Sequence, residues 1–182
     1  MRALLRLADG LDAVSRAIGL GVRWLAALLV VVQFAVVVLR YAFGTSYPWA
    51  QESVTYLHAV LFMLAIGYAY MLDAHVRVDF FYGAWGERRR AALEAAGVLV
   101  LVWPFCGLLV WASWGYVAVS FRLGEGPMTH GGLPLQPYLK ALIPAMAGLL
   151  ALQGLSVLLR ASGVLAGLER TAFPHRRAVG EA

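Results

Sequence analysis

The residues of this chain best equipped for chemistry fall in three places. Asp73, His75, Arg77 and Asp79 crowd one short segment. Asp73, His75 and Asp79 carry donor atoms that suit a metal, but alternate residues with an arginine among them make a poor cage. A structural or subunit-interface role suits His75, Arg77 and Asp79 better. Arg40 and Glu52 flank a short turn, with Trp49 beside it, and a hairpin would bring the two charges close. They are either independently solvated or an ion pair that fixes the hairpin or docks a partner. His58 is the one ionisable group inside a long apolar run, where an imidazole hydrogen-bonded to a neighbouring helix is expected. A haem would need a second histidine facing it, and His75, His130 and His175 lie outside such runs. No nucleophile–base pattern, phosphate-cradling glycine loop or metalloprotease histidine pair occurs. The expectation is a chain that is not an enzyme, with no catalytic residue and no cofactor or metal site of its own.

The elements that must position these groups follow from where charge is missing. The stretches 24–39, 53–72, 95–121 and 141–159 contain no Asp, Glu, Lys or Arg. A bilayer core takes about 20 apolar residues per helix, and a charge at its centre costs roughly 2.5–3.5 kcal/mol on the insertion scale. The first stretch reaches that length if Arg40 snorkels outward and Tyr41, Ala42 and Phe43 complete the helix. Of 182 residues 62% are hydrophobic and 14% charged, with mean hydropathy +0.74. Spans at about 22–43, 49–72, 90–121 and 138–160 leave little for a soluble domain. The fold class expected is all-α integral membrane: four transmembrane helices with an N-terminal amphipathic interfacial helix. In that first segment, 1–21, Leu4, Leu7, Leu11, Val14 and Ile18 share one side at helical spacing, with Arg2, Arg6, Asp9, Asp12 and Arg16 opposite. Such a helix would lie on the membrane surface; the alternative is a continuation of the first span. Pro104 should kink the third span. Residues 122–137, rich in Gly and Pro, should be irregular. Residues 161–182 form a tail expected to fray beyond Pro174.

The sequence pI near 9.7 does not call for nucleic acid, because basic residues of membrane proteins gather on cytoplasmic flanks. Segment 1–23 holds Arg2, Arg6, Arg16 and Arg23. Segment 73–94 holds Arg77, Arg88, Arg89 and Arg90, and the tail holds Arg160, Arg170, Arg176 and Arg177. Loop 44–52 holds none, and the last loop only Arg122 and Lys140. This alternation predicts both termini in the cytoplasm. No cleaved signal peptide is expected, since Arg40-Tyr41 follows the first apolar run instead of small residues. No repeat relates the two span pairs, and no span is broken at mid-depth by paired Gly and Pro. Transporters that carry their own site often show both features, so this chain is not expected to move substrate alone. Small residues around Gly67, Gly148 and Gly154 permit close helix approach, within the unit or toward a larger partner.

Three groups of residues carry a resemblance: Arg40-Tyr41-Ala42-Phe43-Gly44, then Trp49-Ala50-Gln51-Glu52, then His75-Val76-Arg77-Val78-Asp79. Their order and spacing, with Gly132-Leu133-Pro134 and Pro144 later, resemble the small membrane subunit, the Q-type, of tripartite ATP-independent periplasmic (TRAP) transporters over roughly residues 20–160. Gln51 stands where many members have a second Glu. The run Tyr56–Leu64 and Phe80-Phe81-Tyr82 look most like the branch labelled for mannitol/chloroaromatic or 2-oxo acid uptake. The resemblance implies a bacterial inner-membrane subunit that acts as scaffold and anchor for a large M-type subunit. That partner would hold the substrate and sodium sites, and a periplasmic binding protein would deliver an organic acid. Arg122, Glu125, His130 and Lys140, on the polar outer loop, are then candidates for docking that binding protein. Two rival readings are a membrane-bound redox (haem) subunit and a stand-alone small transporter working as an oligomer.

Overall fold

The computed structural model describes residues 2–74, 85–169 and 171–175. Its elements are α1 (Arg2–Ala42), α2 (Pro48–Met71), α3 (Glu87–Gly97), a π-helical turn (Val98–Val102), α4 (Trp103–Leu123) and α5 (Gln136–Leu165). Since α3, the π turn and α4 run on without interruption, the described residues contain four helices long and apolar enough to cross a membrane. The α1–α2 and α4–α5 turns lie together at one end, the hairpin end. The first half of α1, the close of α2, α3 and the close of α5 gather at the other, the terminal end.

Apolar sequence alone would not decide which helix becomes the hub; residue size does. α5 packs against each of the other four helices. It can do so because its inward positions are small: Ala147, Gly154, Ala161 and Gly163 are all buried. A methyl group on Gly154 would stand 3.1 Å from Val98 Cγ1 and 3.3 Å from Trp103 Nε1. Gly67 of α2 likewise lies within contact of Leu149 and Ser15, whereas Gly148 faces open space. The apolar core sits at the terminal end, where Ala91, Val98, Val157, Ala161, Val164, Ala172 and Phe173 are buried together. Toward the hairpin end the bundle thins, and Val30, Val31 and Phe34 of α1 are each about two-thirds exposed, as expected of side chains that meet lipid.

The expected division at residue 21 is not a break, for α1 is one helix of 41 residues. At 1.5 Å per residue it is about 60 Å long, twice the hydrocarbon thickness. Its first half is amphipathic, but the side it buries lies between the apolar stripe and the charged one, and Arg6, Asp9 and Arg16 stay exposed. Leu4, Leu7 and Val14 of the apolar stripe are exposed, while Ala8, Asp12 and Ser15 are buried against α5. The physical reason is a matching polar stripe on α5, described below. The last span runs past its expected end at Arg160, and the fraying expected beyond Pro174 concerns residues that, His175 apart, lie outside the described ones. α5 runs on to Leu165, the chain reverses at Gly167 with φ +76°, and Ala172 and Phe173 return to the core. There Phe173 meets Tyr70 edge-on at 6.0 Å.

The π turn explains how the third span tolerates Pro104. Proline lacks the N–H that would bond four residues back, and its ring crowds the carbonyl of Val100. Val100 lies inside the widened turn Val98–Val102, which gives that carbonyl room.

At the α1–α2 contact, a methyl group on Gly19 would overlap the base of the Tyr68 ring. Gly19→Ala should therefore force the two helices apart and cost about 1–3 kcal/mol, read as a lower thermal midpoint in detergent, whereas Gly21→Ala, which faces open space, should leave it unchanged.

Candidate functional site

Two polar clusters close the bundle, one at each end. At the terminal end the sequence places Ala8, Asp12, Ser15 and Gly19 on one face of α1, and Gln153, Ser156 and Arg160 on one face of α5, both at helical spacing. The antiparallel helices bring these faces together. Asp12 Oδ1 accepts from Ser156 Oγ at 2.6 Å and Gln153 Nε2 at 2.8 Å. Its Oδ2 accepts from Arg160 Nη2 at 2.7 Å and Nε at 3.0 Å. Ser15 Oγ donates to Gln153 Oε1 at 2.6 Å. Arg160 also donates through Nη2 to Asp9 at 2.7 Å and through Nη1 to Glu169 at 2.9 Å. Arg160 and Asp12 are each 4% exposed, so neither charge could persist there alone. Burial holds the Glu169 carboxyl above its ordinary value, against the opposing pull of Arg160. The returning C-terminal segment joins the cluster. His175 Nε2 donates to Asp12 Oδ2 at 3.3 Å, and its Nδ1 accepts from Arg16 Nη2 at 3.1 Å.

The hairpin end is closed by Glu52. Its carboxylate, at a residue 7% exposed, accepts from Thr129 N at 3.0 Å, Thr129 Oγ1 at 2.6 Å and Leu133 N at 2.7 Å. A methyl group on Gly132 would overlap the same carboxylate, so the loop wraps it only with glycine there. Arg40 is exposed, and the partners of Glu52 are this loop rather than Arg40. Neither expectation for that pair describes it: Glu52 is not solvated, and its fixing role is toward the last loop. Trp49 is half-exposed, its ring 6.1 Å from that of Tyr47.

Beside this clasp, Glu125 takes hydrogen bonds from Lys140 Nζ and Ser120 Oγ. The Lys140 ammonium also stands 4.0 Å from the centre of the Tyr116 ring, a cation–π contact. The expected docking residues thus separate. Glu125 and Lys140 bind each other, while Arg122 and His130 are exposed. His75, Arg77 and Asp79 lie outside the described residues. Among the described residues none on a neighbouring helix hydrogen-bonds His58; it is exposed and stacks on Phe62 with 6.1 Å between ring centres.

Reasoning from sequence missed the Asp12–Arg160 network, because Asp12 falls opposite the leucines of α1 and Arg160 falls at the end of a span, where both pass for solvated charges. The available signal was a second polar stripe, Gln153, Ser156 and Arg160, on an otherwise apolar helix.

Breaking a buried pair costs about 3–5 kcal/mol, while replacing both partners by apolar groups often costs far less. Asp9 and Glu169 remain on Arg160 after Asp12→Leu, so a loss of about 3 kcal/mol is expected there, and more after Arg160→Met. The double variant should lose less than the sum of the two, measured as a double-mutant cycle of unfolding in detergent. For Glu125, Lys140 and then Ser120 hold the carboxyl below its ordinary value of 4.5. A depressed carboxylate contributes stability above its unfolded value and loses it as pH falls through the folded one. The thermal midpoints of wild type and Glu125→Gln should therefore differ at neutral pH and converge in acid below 4.5.

The model of one protein family, described as "Tripartite ATP-independent periplasmic transporters, DctQ component", matches residues 29–163. No match was found among curated proteins or solved structures. The matched region takes in the α1–α2 hairpin, the Glu52 clasp and the α5 half of the terminal cluster. It makes the four long apolar helices those of a transporter component, not an enzyme, that passes several times through the inner membrane. The chain belongs to the DctQ component family of tripartite ATP-independent periplasmic transporters.

Proposed function

We propose that this chain is the small permease subunit that widens and anchors the static scaffold of a sodium-coupled, binding-protein-dependent secondary transporter for organic acids. The observation that carries this reading is how the buried charges are used. Arg160 is enclosed by Asp9, Asp12 and Glu169, and Glu52 by Thr129 and Leu133. These groups tie helices to one another at the terminal end and a helix to the last loop at the hairpin end. A chain that carried its own cargo would need coordinating groups turned toward a path at mid-depth.

On this reading the large membrane subunit holds the substrate and sodium sites, and a periplasmic binding protein delivers the acid. Both termini lie in the cytoplasm, a sidedness supported by Arg6, Arg16, Arg88, Arg89 and Arg90 at the terminal end. Arg122, in the last turn of α4, and His130, on the loop that Glu52 and the Glu125–Lys140 pair hold in shape, meet the binding protein. The run Tyr56–Leu64 favours the mannitol/chloroaromatic or 2-oxo acid branch. Reconstitution tests the proposal. Liposomes holding the large subunit, with binding protein outside and an inward sodium gradient, should accumulate the acid only when this chain is also present. Accumulation by this chain alone would overturn it.

A further inference from the structure

The outward face of α2 is more polar than a lipid-facing surface should be. Gln51, Thr55, His58 and Phe62 fall within about 60° of arc at 100° per residue, and all four are exposed. Three of them carry hydrogen-bonding groups. Gln51 reaches Ser46 at 3.0 Å near the turn. Thr55 and His58 lie deeper, about 11 and 15 Å along the axis from Pro48. Across from them on α1 is Gln33, also exposed and about 14 Å from the end of its helix at Ala42. Among the described residues none hydrogen-bonds the side chain of Gln33 or His58. Both line one groove of 410 Å³ between α1 and α2, walled otherwise by aliphatic and aromatic side chains such as Val30, Phe34, Val37 and Val54.

Hydrocarbon cannot satisfy an amide, a hydroxyl or an imidazole, and each group left unpaired at that depth costs several kcal/mol. The groove between α4 and α5 is larger, 990 Å³; its walls carry the indoles of Trp103, Trp111 and Trp114 and the thiol of Cys106, with the Trp103 N–H given to the Ala151 carbonyl at 3.3 Å, but no hydroxyl, amide or imidazole. Acyl chains can fill that groove without stranding such a group. They cannot do so between α1 and α2. A second copy of this chain is a poor occupant as well, because a two-fold axis would set groove against groove.

We propose that a membrane-spanning helix of the large transporter subunit seats in the α1–α2 groove and presents hydrogen-bonding side chains to Gln33, Thr55 and His58. This rests on the scaffold reading above and names the face through which the scaffold is joined. The bonding expected of His58 within its own chain is then made across the subunit boundary.

The test uses the complex as it exists. Benzoylphenylalanine, a photo-crosslinking residue, is placed at Gln33, at His58 or, as a control on the other groove, at Trp111, in cells that also make the large subunit. Adducts are identified by mass spectrometry. The first two positions should join the large subunit and the control should not. Adducts at Gln33 and His58 that contain only lipid or a second copy, while the large subunit still co-purifies, overturn the assignment of the face and leave the scaffold function standing. If the unaltered chain does not co-purify with the large subunit, both readings fall. In parallel, Gln33→Leu with His58→Leu should weaken association about threefold per lost bond, roughly tenfold together. Unchanged retention of the large subunit through a detergent series would count against the proposal, because surface positions on a bundle of unaltered thermal midpoint leave folding out of the explanation.

Discussion

A guanidinium out of water must be matched by carboxylates at hydrogen-bonding distance, and much of this architecture can be traced to meeting that demand at Arg160. Its four carboxylate bonds reach one other helix, α1, and the segment after Gly167. They draw the first half of α1 against α5 instead of leaving it flat on the membrane, with Asp12 turned inward while Leu4, Leu7 and Val14 stay exposed. The same cluster holds the chain after Gly167 near Asp12 through His175, while Phe173 adds apolar burial against Tyr70. A charge that cannot be afforded alone thus fixes the relation of three segments that apolar packing by itself would leave free to slide.

The hairpin end meets a related constraint with different chemistry. Glu52 is satisfied by two backbone amides and one hydroxyl, not by a cation. A loop of glycines and prolines has no helix or sheet ladder to absorb its N–H groups, and the carboxylate supplies their acceptor. Specificity there comes from shape, since the fold of the loop leaves no room for a side chain at Gly132. One end is held by charge pairing between helices and the other by a helix residue gripping a loop. The width between them is left mostly to methyl, methylene and aromatic groups, with Gln33, Thr55 and His58 on its outer surface.

Much of this was legible in residue order. Charge-free stretches marked the four spans, because no other element carries so many apolar residues in a row. Gly and Pro marked the last loop, since those residues remove donors or free the backbone. What stayed hidden was whatever depends on two distant faces meeting. Asp12 lies among Arg6, Asp9 and Arg16 and looks like one more solvated charge. Only the facing Gln153, Ser156 and Arg160 reveal it as interior. Glu52 invited pairing with Arg40 because they are near in sequence, yet a carboxylate that accepts from amides leaves no mark on composition. The continuity of α1 was hidden for a third reason: an amphipathic segment and an apolar one join without any residue that would stop a helix between them.

The sequence separation of 148 residues between Asp12 and Arg160 also bears on biogenesis. The first helix leaves the ribosome long before the last. At 5–20 residues per second, Asp12 waits roughly 7–30 s for its counter-charge to be synthesised. Throughout that interval the start of α1 must stay hydrated at the translocon, and the nascent bundle stays open on one side until α5 has been made.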